Sequence, residues 1–526
     1  MPLAKTTIPF EWTSQFGKLF LDYVNGKLKD YHSYEPNLEG IKKFTEENKY
    51  AGLNRALLVE ELKKQNAWLK LSDLSKKNIE SLLDPNTYTI CTGHQLCLAT
   101  GPLYFIYKIL SVINLSGELN KKYADKKFVP VYWMATEDHD VEEINHVNLF
   151  NKKFTWSTDQ KGRVGEFALT GIDAFLHEIK DVLGENENAG RILELLTAAY
   201  SQKNLAEATR YLVNELFGQD GLLILDGNSR VLKQTFIQEI EKDIFENFAF
   251  QKVNATIEKL KAQGYQAQVN PREINCFYAD KGLRERIVEE NAKYKILNTN
   301  LSFSKQELQK KIEEETEKFS PNVVLRPLYQ QKIMPNAAYV GGPGEIAYWL
   351  EYKAMFEEAG IPYPALVPRS FVLYIEKGLQ QRIEKLNLKI EDLFGDKNQL
   401  IKTYALKQQP FDLENEKETL RKEFLNIRAQ ISEIDRTLEA ATDAELQKNL
   451  KGLEALEQKV IRAIKQKSEA SINQIETIYG RLFPNNIPQE RVENFLRFFI
   501  GNPVFIEEVK NQLLPGVDSI SILRET

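Results

Sequence analysis

Two stretches decide the fold: Thr87-Tyr-Thr-Ile-Cys-Thr92 and Phe128-Val-Pro-Val-Tyr-Trp-Met134. Both are dense in β-branched and aromatic residues, which suit a pleated, buried strand. Between them Pro102 can occupy a first helical turn. Leu103, Ile106, Ile109 or Leu110, and Ile113 then recur at helical spacing to about Tyr123. Strand, helix and strand in such a short span form a βαβ unit, which implies a parallel sheet with helices packed on it.

Working outward, four more short apolar strands are predicted: Gly221–Asp226, Asn322–Leu325, Ala338–Val340 and Ala365–Val367. Helical and irregular insertions at 150–215 and 231–265 separate them. Residues 1 to about 84 read as helical, ending at Asp84-Pro85-Asn86. The expectation is an α/β, Rossmann-like parallel-sheet core with helical insertions over residues 1–375. A C-terminal α-helical coiled-coil domain is expected over 376–526. Its seam is Leu420, Phe424, Ile427, Ile431, Ile434 and Leu438, spaced alternately by four and three. A break is predicted at Ala440–Glu445, with Thr442 and Glu445 as a capping box for a second helix reaching about Tyr479. Such an antiparallel hairpin either dimerises or folds back on its own domain.

Composition limits the function classes. The 526 residues are 42% hydrophobic and 27% charged, with a net charge of −6. That is an ordinary globular composition, and it argues against a broadly basic nucleic-acid-binding surface. Three scattered cysteines, Cys91, Cys97 and Cys276, fit a reducing compartment. The N-terminus lacks a basic segment leading into an apolar stretch, and no run approaches a bilayer-spanning length. A cytoplasmic protein without membrane or nucleic-acid partners is expected.

Ligands of open parallel sheets bind outside the carboxyl ends of the strands. The residues just past each predicted strand are therefore the candidates: Gly93-His94-Gln95 with Thr100-Gly101, Glu137-Asp138-His139-Asp140, and Asp226-Gly227-Asn228. Further along come Arg326 to Gln330, Gly341-Gly342-Pro343-Gly344-Glu345, and Arg369-Ser370. Glycines before a helix allow backbone N–H groups to approach an anion, although loop and helix-start chemistry would look the same. Glu137–Asp140 follows a buried strand, where unpaired charge is costly, so acid, base or amine-binding roles are read for Asp138 and His139. Glu345 can bind an amine or merely start a helix. Arg326 and Arg369 can clamp a carboxylate or phosphate, or serve as salt-bridge partners. His146, Glu142 and Glu143 would permit a metal cluster, but no zinc spacing supports one, and no metal ligands are assigned. Cys91 and Cys97 lack an activating pair and read as buried structural thiols.

Four segments carry a family resemblance. They are Thr92–Tyr104, Trp133–Asp140 with Glu143-Ile-Asn-His146, Ser320–Gln330, and Tyr339–Tyr348. Together, in order, they resemble the bacillithiol biosynthesis cysteine-adding enzymes (BshC). Members of that family usually carry Gln-Gln where this chain has His94-Gln95, which leaves the ligand contacts at position 94 open. The resemblance implies a core similar to class I aminoacyl-tRNA synthetases and nucleotidyltransferases, with a coiled coil that forms a homodimer. It also implies a cysteine ligase acting in the last step of bacillithiol synthesis, joining cysteine to the amine of glucosaminyl-malate.

A carboxylate does not acylate an amine unaided, so ATP with Mg2+ is the expected co-substrate, acting through an acyl-phosphate or acyl-adenylate. Gly93, His94, Gln95, Thr100 and Gly101 are then assigned to the nucleotide edge. Asp138, His139 and Glu345 are assigned to catalysis, and Gly342 and Gly344 to the opposite wall. Glu137, Asp140, Arg326, Gln330, Gly341, Arg369 and Ser370 complete the binding set. Two rival readings are a non-catalytic nucleotide-binding coiled-coil scaffold and a metal-dependent hydrolase using Asp138, His139 and His146.

Overall fold

The computed structural model describes residues 3–50, 52–513 and 518–526. Two compact units make up the chain. One holds Gln15–Tyr374, Ile487–Thr526 and the N-terminal strand, and the other holds Trp12–Ser14 and Ile375–Asn486.

The first unit is built on a five-stranded parallel sheet. Its strands are Thr87–His94 (β1), Lys127–Met134 (β2), Leu223–Asp226 (β3), Asn336–Gly341 (β4) and Ala365–Pro368 (β5), in the order β5-β4-β1-β2-β3. All four pairings are parallel. Every residue of β1 is buried, as a central strand covered on both faces requires. Helix α1, Tyr104–Lys122, returns the chain from β1 to β2 and is buried around most of its circumference. Full burial of one such Leu, Ile or Phe stabilises by roughly 1.5–3 kcal/mol, so this helix fixes the sheet firmly. The strand order reverses beside β1, because β2 lies on one side of it and β4 on the other. A ligand crevice opens at that switch point in folds of this type.

Asn322–Leu325, expected as a sixth parallel strand, is a turn. The side-chain oxygen of Asn322 accepts the N–H groups of Val324 and Leu325, and its carbonyl accepts that of Arg326. Helix α2, Arg326–Ile333, follows the turn, with Pro327 in its first turn. The neighbouring strand is Phe319–Pro321, which pairs antiparallel with Cys276–Asp280 in a separate five-stranded insertion sheet. That insertion sheet was not anticipated. Nor was the strand Leu3–Pro9, which pairs antiparallel with Ser519–Glu525. The latter pairing ties the C-terminal strand to the unit of the parallel sheet, with which residues 487–526 cluster.

In the second unit, helices α4 (Glu414–Ile434) and α5 (Glu439–Lys467) pack as the expected hairpin. Lys417 bridges to Glu457 at 2.8 Å across it. The break falls at Asp435–Leu438, earlier than predicted. There the Asp435 carboxylate accepts the Thr437 N–H at 2.9 Å and its hydroxyl at 2.7 Å. Thr442 and Glu445 lie inside α5, because the Ala-rich stretch before them favours helix over a turn. A second interruption at Ser468 separates α5 from the helix Glu469–Leu482. Among the described residues, no helix is long and apolar enough to cross a membrane.

Candidate active site

A cavity of about 720 Å3 opens at the carboxyl ends of β1, β2 and β4. Its size and its mixture of aromatic walls with a few convergent polar groups are those of a small-molecule site. All of its lining residues belong to the first unit.

Its floor is a buried ion pair. Lys108 is 3% exposed and sits one helical turn beyond Tyr104, so both side chains leave α1 on the pocket face. The Lys108 ammonium donates to Glu345 at 2.7 Å and to the Gly93 carbonyl. Glu345 is the third residue of helix α3, Pro343–Leu350. Its carboxylate also accepts the Gly342 N–H at 2.9 Å and the Tyr339 hydroxyl at 2.6 Å. Burial alone would raise the Glu345 pKa, but Lys108 and these hydrogen bonds outweigh it and hold the carboxyl below its ordinary value. Burial pulls Lys108, the deeper partner, below the usual lysine range, and the Glu345 charge opposes that pull. Glu345 therefore starts its helix and anchors the lysine, with no lone base left over. The third N–H of Lys108 remains for a ligand.

The β2 end forms the next wall. Gln95 donates to Asp138 at 2.7 Å and to Glu143 at 2.6 Å, joining the ends of β1 and β2. Burial pushes Asp138 up, but hydrogen bonds from the His139 backbone N–H and from Gln95, with Arg284 nearby, prevail and hold it at about 2. Glu137 is ion-paired with Lys233, which is itself buried. The guanidinium of Arg284 lies 2.7 Å from Nδ1 of His139. A guanidinium can only donate, so Nδ1 accepts and the imidazole proton rests on Nε2.

His94 lies parallel to the Tyr104 ring, 5.2 Å between centroids. Burial, reinforced by Lys108 and Arg369, lowers its pKa to about 3. The imidazole is thus neutral at physiological pH, and His94 adds no charge to the cavity. Its Nε2 is buried without a hydrogen-bond partner among the described residues.

The cavity brings together eleven of the expected residues: Gly93, His94, Gln95, Glu137, Asp138, His139, Arg326, Gly342, Gly344, Glu345 and Arg369. The remaining six do not line it. Thr100 and Gly101 are buried away from it. Gly101 has φ +67°, its missing Cβ would sit 2.6 Å from that of Cys97, and its carbonyl accepts from Asn494. Gly101 is required by the loop, and the anion role expected for it and Thr100 has no access to the cavity. Asp140 is exposed outside the cavity. Gln330 is fully buried and accepts from Arg326 at 2.9 Å. The Gly341 carbonyl accepts the Arg369 N–H. Ser370 is buried, and its N–H donates to Ser111. Arg369 itself, expected to clamp a ligand, is held in a forked pair with Glu490 at 2.5 and 3.0 Å.

Lys108, Tyr104, Tyr339, Arg272, Arg284, Arg286 and Arg491 also line the cavity and were not among the expected residues. Tyr104 and Tyr339 stood inside the recognised motifs. Lys108 is in the first helix, on the face shared with Tyr104, but that spacing alone does not single it out from an ordinary helix lysine. Gly227, at the end of β3, borders the site too; a Cβ there would lie 2.4 Å from the Trp133 ring. All three cysteines are buried, and burial raises Cys91 and Cys97 to about 12, leaving neutral thiols. Among the described residues, no group of three or more His, Cys, Asp and Glu side chains is arranged to hold a metal ion.

The strand order and the cavity at its reversal define a Rossmann-like protein with a small-molecule site. The chain belongs to the bacillithiol biosynthesis BshC family. Residues 3–370 match that family's N-terminal Rossmann-like domain, and residues 372–524 match its C-terminal coiled-coil domain. A Flavobacterium psychrophilum protein named "Putative cysteine ligase BshC" is 42% identical, covering 98% of this chain and 99% of its own. A namesake from Flavobacterium johnsoniae is 41% identical over 96% and 97% of the two chains. One from Bacillus cereus is 30% identical over 90% and 91%.

Proposed function

We propose that the protein is an ATP-dependent ligase that joins the carboxyl group of cysteine to the amine of glucosaminyl-malate, completing bacillithiol. The names of the relatives support the reaction class. The observation that carries the reading is the convergence of the β1, β2 and β4 ends on one cavity with the buried Lys108–Glu345 pair as its floor.

An amine cannot displace oxide from a carboxylate at neutral pH. Bound ATP would supply the better leaving group. The residues present suit a polyanion at the switch point, where Lys108 keeps one N–H, Arg326 presents its guanidinium, and the buried Nε2 of His94 lacks a partner among the described residues. Lys108 and Arg326 hold negative charge as it develops on the leaving oxygen. Asp138 and Glu143, linked by Gln95, bind the amine in its ammonium form. His139 first takes one proton from that ammonium to free the nitrogen lone pair, which requires its Nδ1 to be released from Arg284, and the second proton, lost as the C–N bond forms, leaves on the departing phosphate oxygen. Glu345 acts through Lys108, as a positioning residue.

The assignment is tested by steady-state kinetics on Asp138→Ala and His139→Ala. Each is expected to lower kcat by about 10²–10⁴-fold, the usual contribution of general acid–base groups. Normal turnover in both would remove them from the mechanism. The hairpin is proposed to form a homodimer in the cytoplasm. Leu425, Ile434 and Leu438 stand exposed on it, and Ile434 is 86% exposed. An intact protein that scatters light as a monomer at micromolar concentration would refute the dimer.

A further inference from the structure

The insertion hairpin presents a cationic face to the cavity that the nucleotide and amine assignments leave unused. Its strands Cys276–Asp280 and Leu283–Glu290 pair with Phe277 opposite Arg286 and Ala279 opposite Arg284. Residues two apart on a strand share a face, so Arg284 and Arg286 project together, flanked by Phe277. Arg272 joins them from the preceding loop. We propose that Arg272, Arg284 and Arg286 form a dicarboxylate subsite that grips the malyl end of the acceptor. This rests on the ligase reading above.

Three observations favour a diacid. First, the cluster is under-compensated: neither Arg272 nor Arg286 has an ion-pair partner among the described residues. The Nε of Arg286 is also buried without a hydrogen-bond acceptor. Buried donors of this kind are satisfied by a ligand or remain costly. Second, the two strand arginines have Cα atoms about 7 Å apart, as a two-residue step dictates. Guanidinium forks at that spacing can take the two carboxylates of a four-carbon diacid, each in bidentate geometry. Third, the Phe277 ring lies 4.2 Å from the Arg284 guanidinium, giving an apolar shelf for the carbon chain between the carboxylates. A triphosphate has no such apolar middle, and it has its own cations, Lys108 and Arg326, at the switch point.

The subsite also connects to the proton acceptor. In the structure Arg284 donates to Nδ1 of His139, to the Ser320 hydroxyl and to the Pro321 carbonyl. A carboxylate drawing its terminal nitrogens away frees Nδ1, so the malyl group both anchors the acceptor and readies the base.

The test is equilibrium binding to the full-length protein, with glucosaminyl-malate and methyl glucosaminide as probes. The second keeps the sugar amine and replaces the malyl group with methyl. Arg286→Ala is the main variant, and Arg272→Ala is a second one on an exposed loop side chain. Wild type is expected to prefer glucosaminyl-malate, and each variant to weaken it by about tenfold to a hundredfold, the worth of one charge-assisted contact. Methyl glucosaminide and ATP should bind all three proteins alike. Equal binding of the two sugars to wild type, or a preference that survives both substitutions, would overturn the subsite. So would a loss confined to ATP, which would make the cluster a phosphate site. Binding is read without turnover, so a protein that binds the malyl group through these arginines but forms no amide refutes the ligase reading and not the subsite.

Discussion

Replacing Glu345 by Gln removes one charge from the cavity floor while keeping an oxygen for Lys108 and the Gly342 N–H, and turns an amide NH2 toward the Tyr339 hydroxyl. The structure sets the size of the effect. Breaking a buried ion pair costs about 3–5 kcal/mol, because the remaining charge is left unpaired. The Glu345 side chain retains 24% of its exposure, which screens the pair and places the expected loss near the lower end, about 3 kcal/mol. Unfolding entropy is about 2.1 cal/mol/K per residue, so for a unit of roughly 410 residues the loss corresponds to about 3–4 °C in Tm. The sign with pH follows from Lys108, whose folded pKa already lies below its unfolded value. For such a lysine the unfolded chain binds more protons, and stability rises with pH between the two values. Without Glu345 the folded pKa drops further. The deficit is then largest near neutrality and shrinks as pH approaches the unfolded lysine value of 10.5. Differential scanning calorimetry at several pH values reads this. Lys108→Met in the Glu345→Gln background should recover most of the loss, since an apolar side chain of similar length replaces the stranded charge. A deficit that is flat with pH, together with no recovery in the double variant, would refute the ion-pair account of the floor.

Three further outcomes follow from the site. Gly227→Ala places a Cβ 2.4 Å from the Trp133 ring and should cost about 1–3 kcal/mol through overpacking, read as a lowered Tm. His94→Gln should leave the shape of the pH–rate profile between pH 5 and 8 unchanged, because the His94 pKa, at about 3, lies well below that range. The native protein should react with a thiol reagent only as fast as it unfolds, because Cys91, Cys97 and Cys276 are buried and Cys91 and Cys97 are held near 12.

The parallel sheet was legible because its strands are short, nearly continuous apolar runs, and a strand buried on both faces has little room for polar alternation. β1 and β2 announce themselves in this way, and the helix between them carries its spacing openly. Asn322–Leu325 offers the same local signal, but the Asn322 side chain holds the N–H groups of Val324 and Leu325 in a turn, which outweighs the β preference of two valines. The insertion strand Leu283–Glu290 was hidden for the opposite reason. It alternates arginines and glutamates around few apolar residues, as a strand with one wet face does. Its arginines gain meaning only when the sheet is folded against the β2 end. The candidate site was legible at its glycines and at Asp138 and His139, since these follow strands. The partners were not: Lys108 reads as an ordinary helix lysine until burial pairs it with a residue 237 positions away. Arg369 reads as a free clamp until Glu490 returns to it from beyond the coiled coil. The pairing of Leu3–Pro9 with Ser519–Glu525 is equally remote, and no local pattern records it.

The central claim is that this cavity makes an amide bond between cysteine and glucosaminyl-malate. It is tested most directly by incubating the purified protein with both substrates, ATP and Mg2+, and measuring the condensed thiol and the spent nucleotide by mass spectrometry. The account predicts product that requires ATP, with nucleotide and amide formed in equal amounts, and loss of both in His139→Ala. Folded protein that binds the substrates and yields no amide would contradict it.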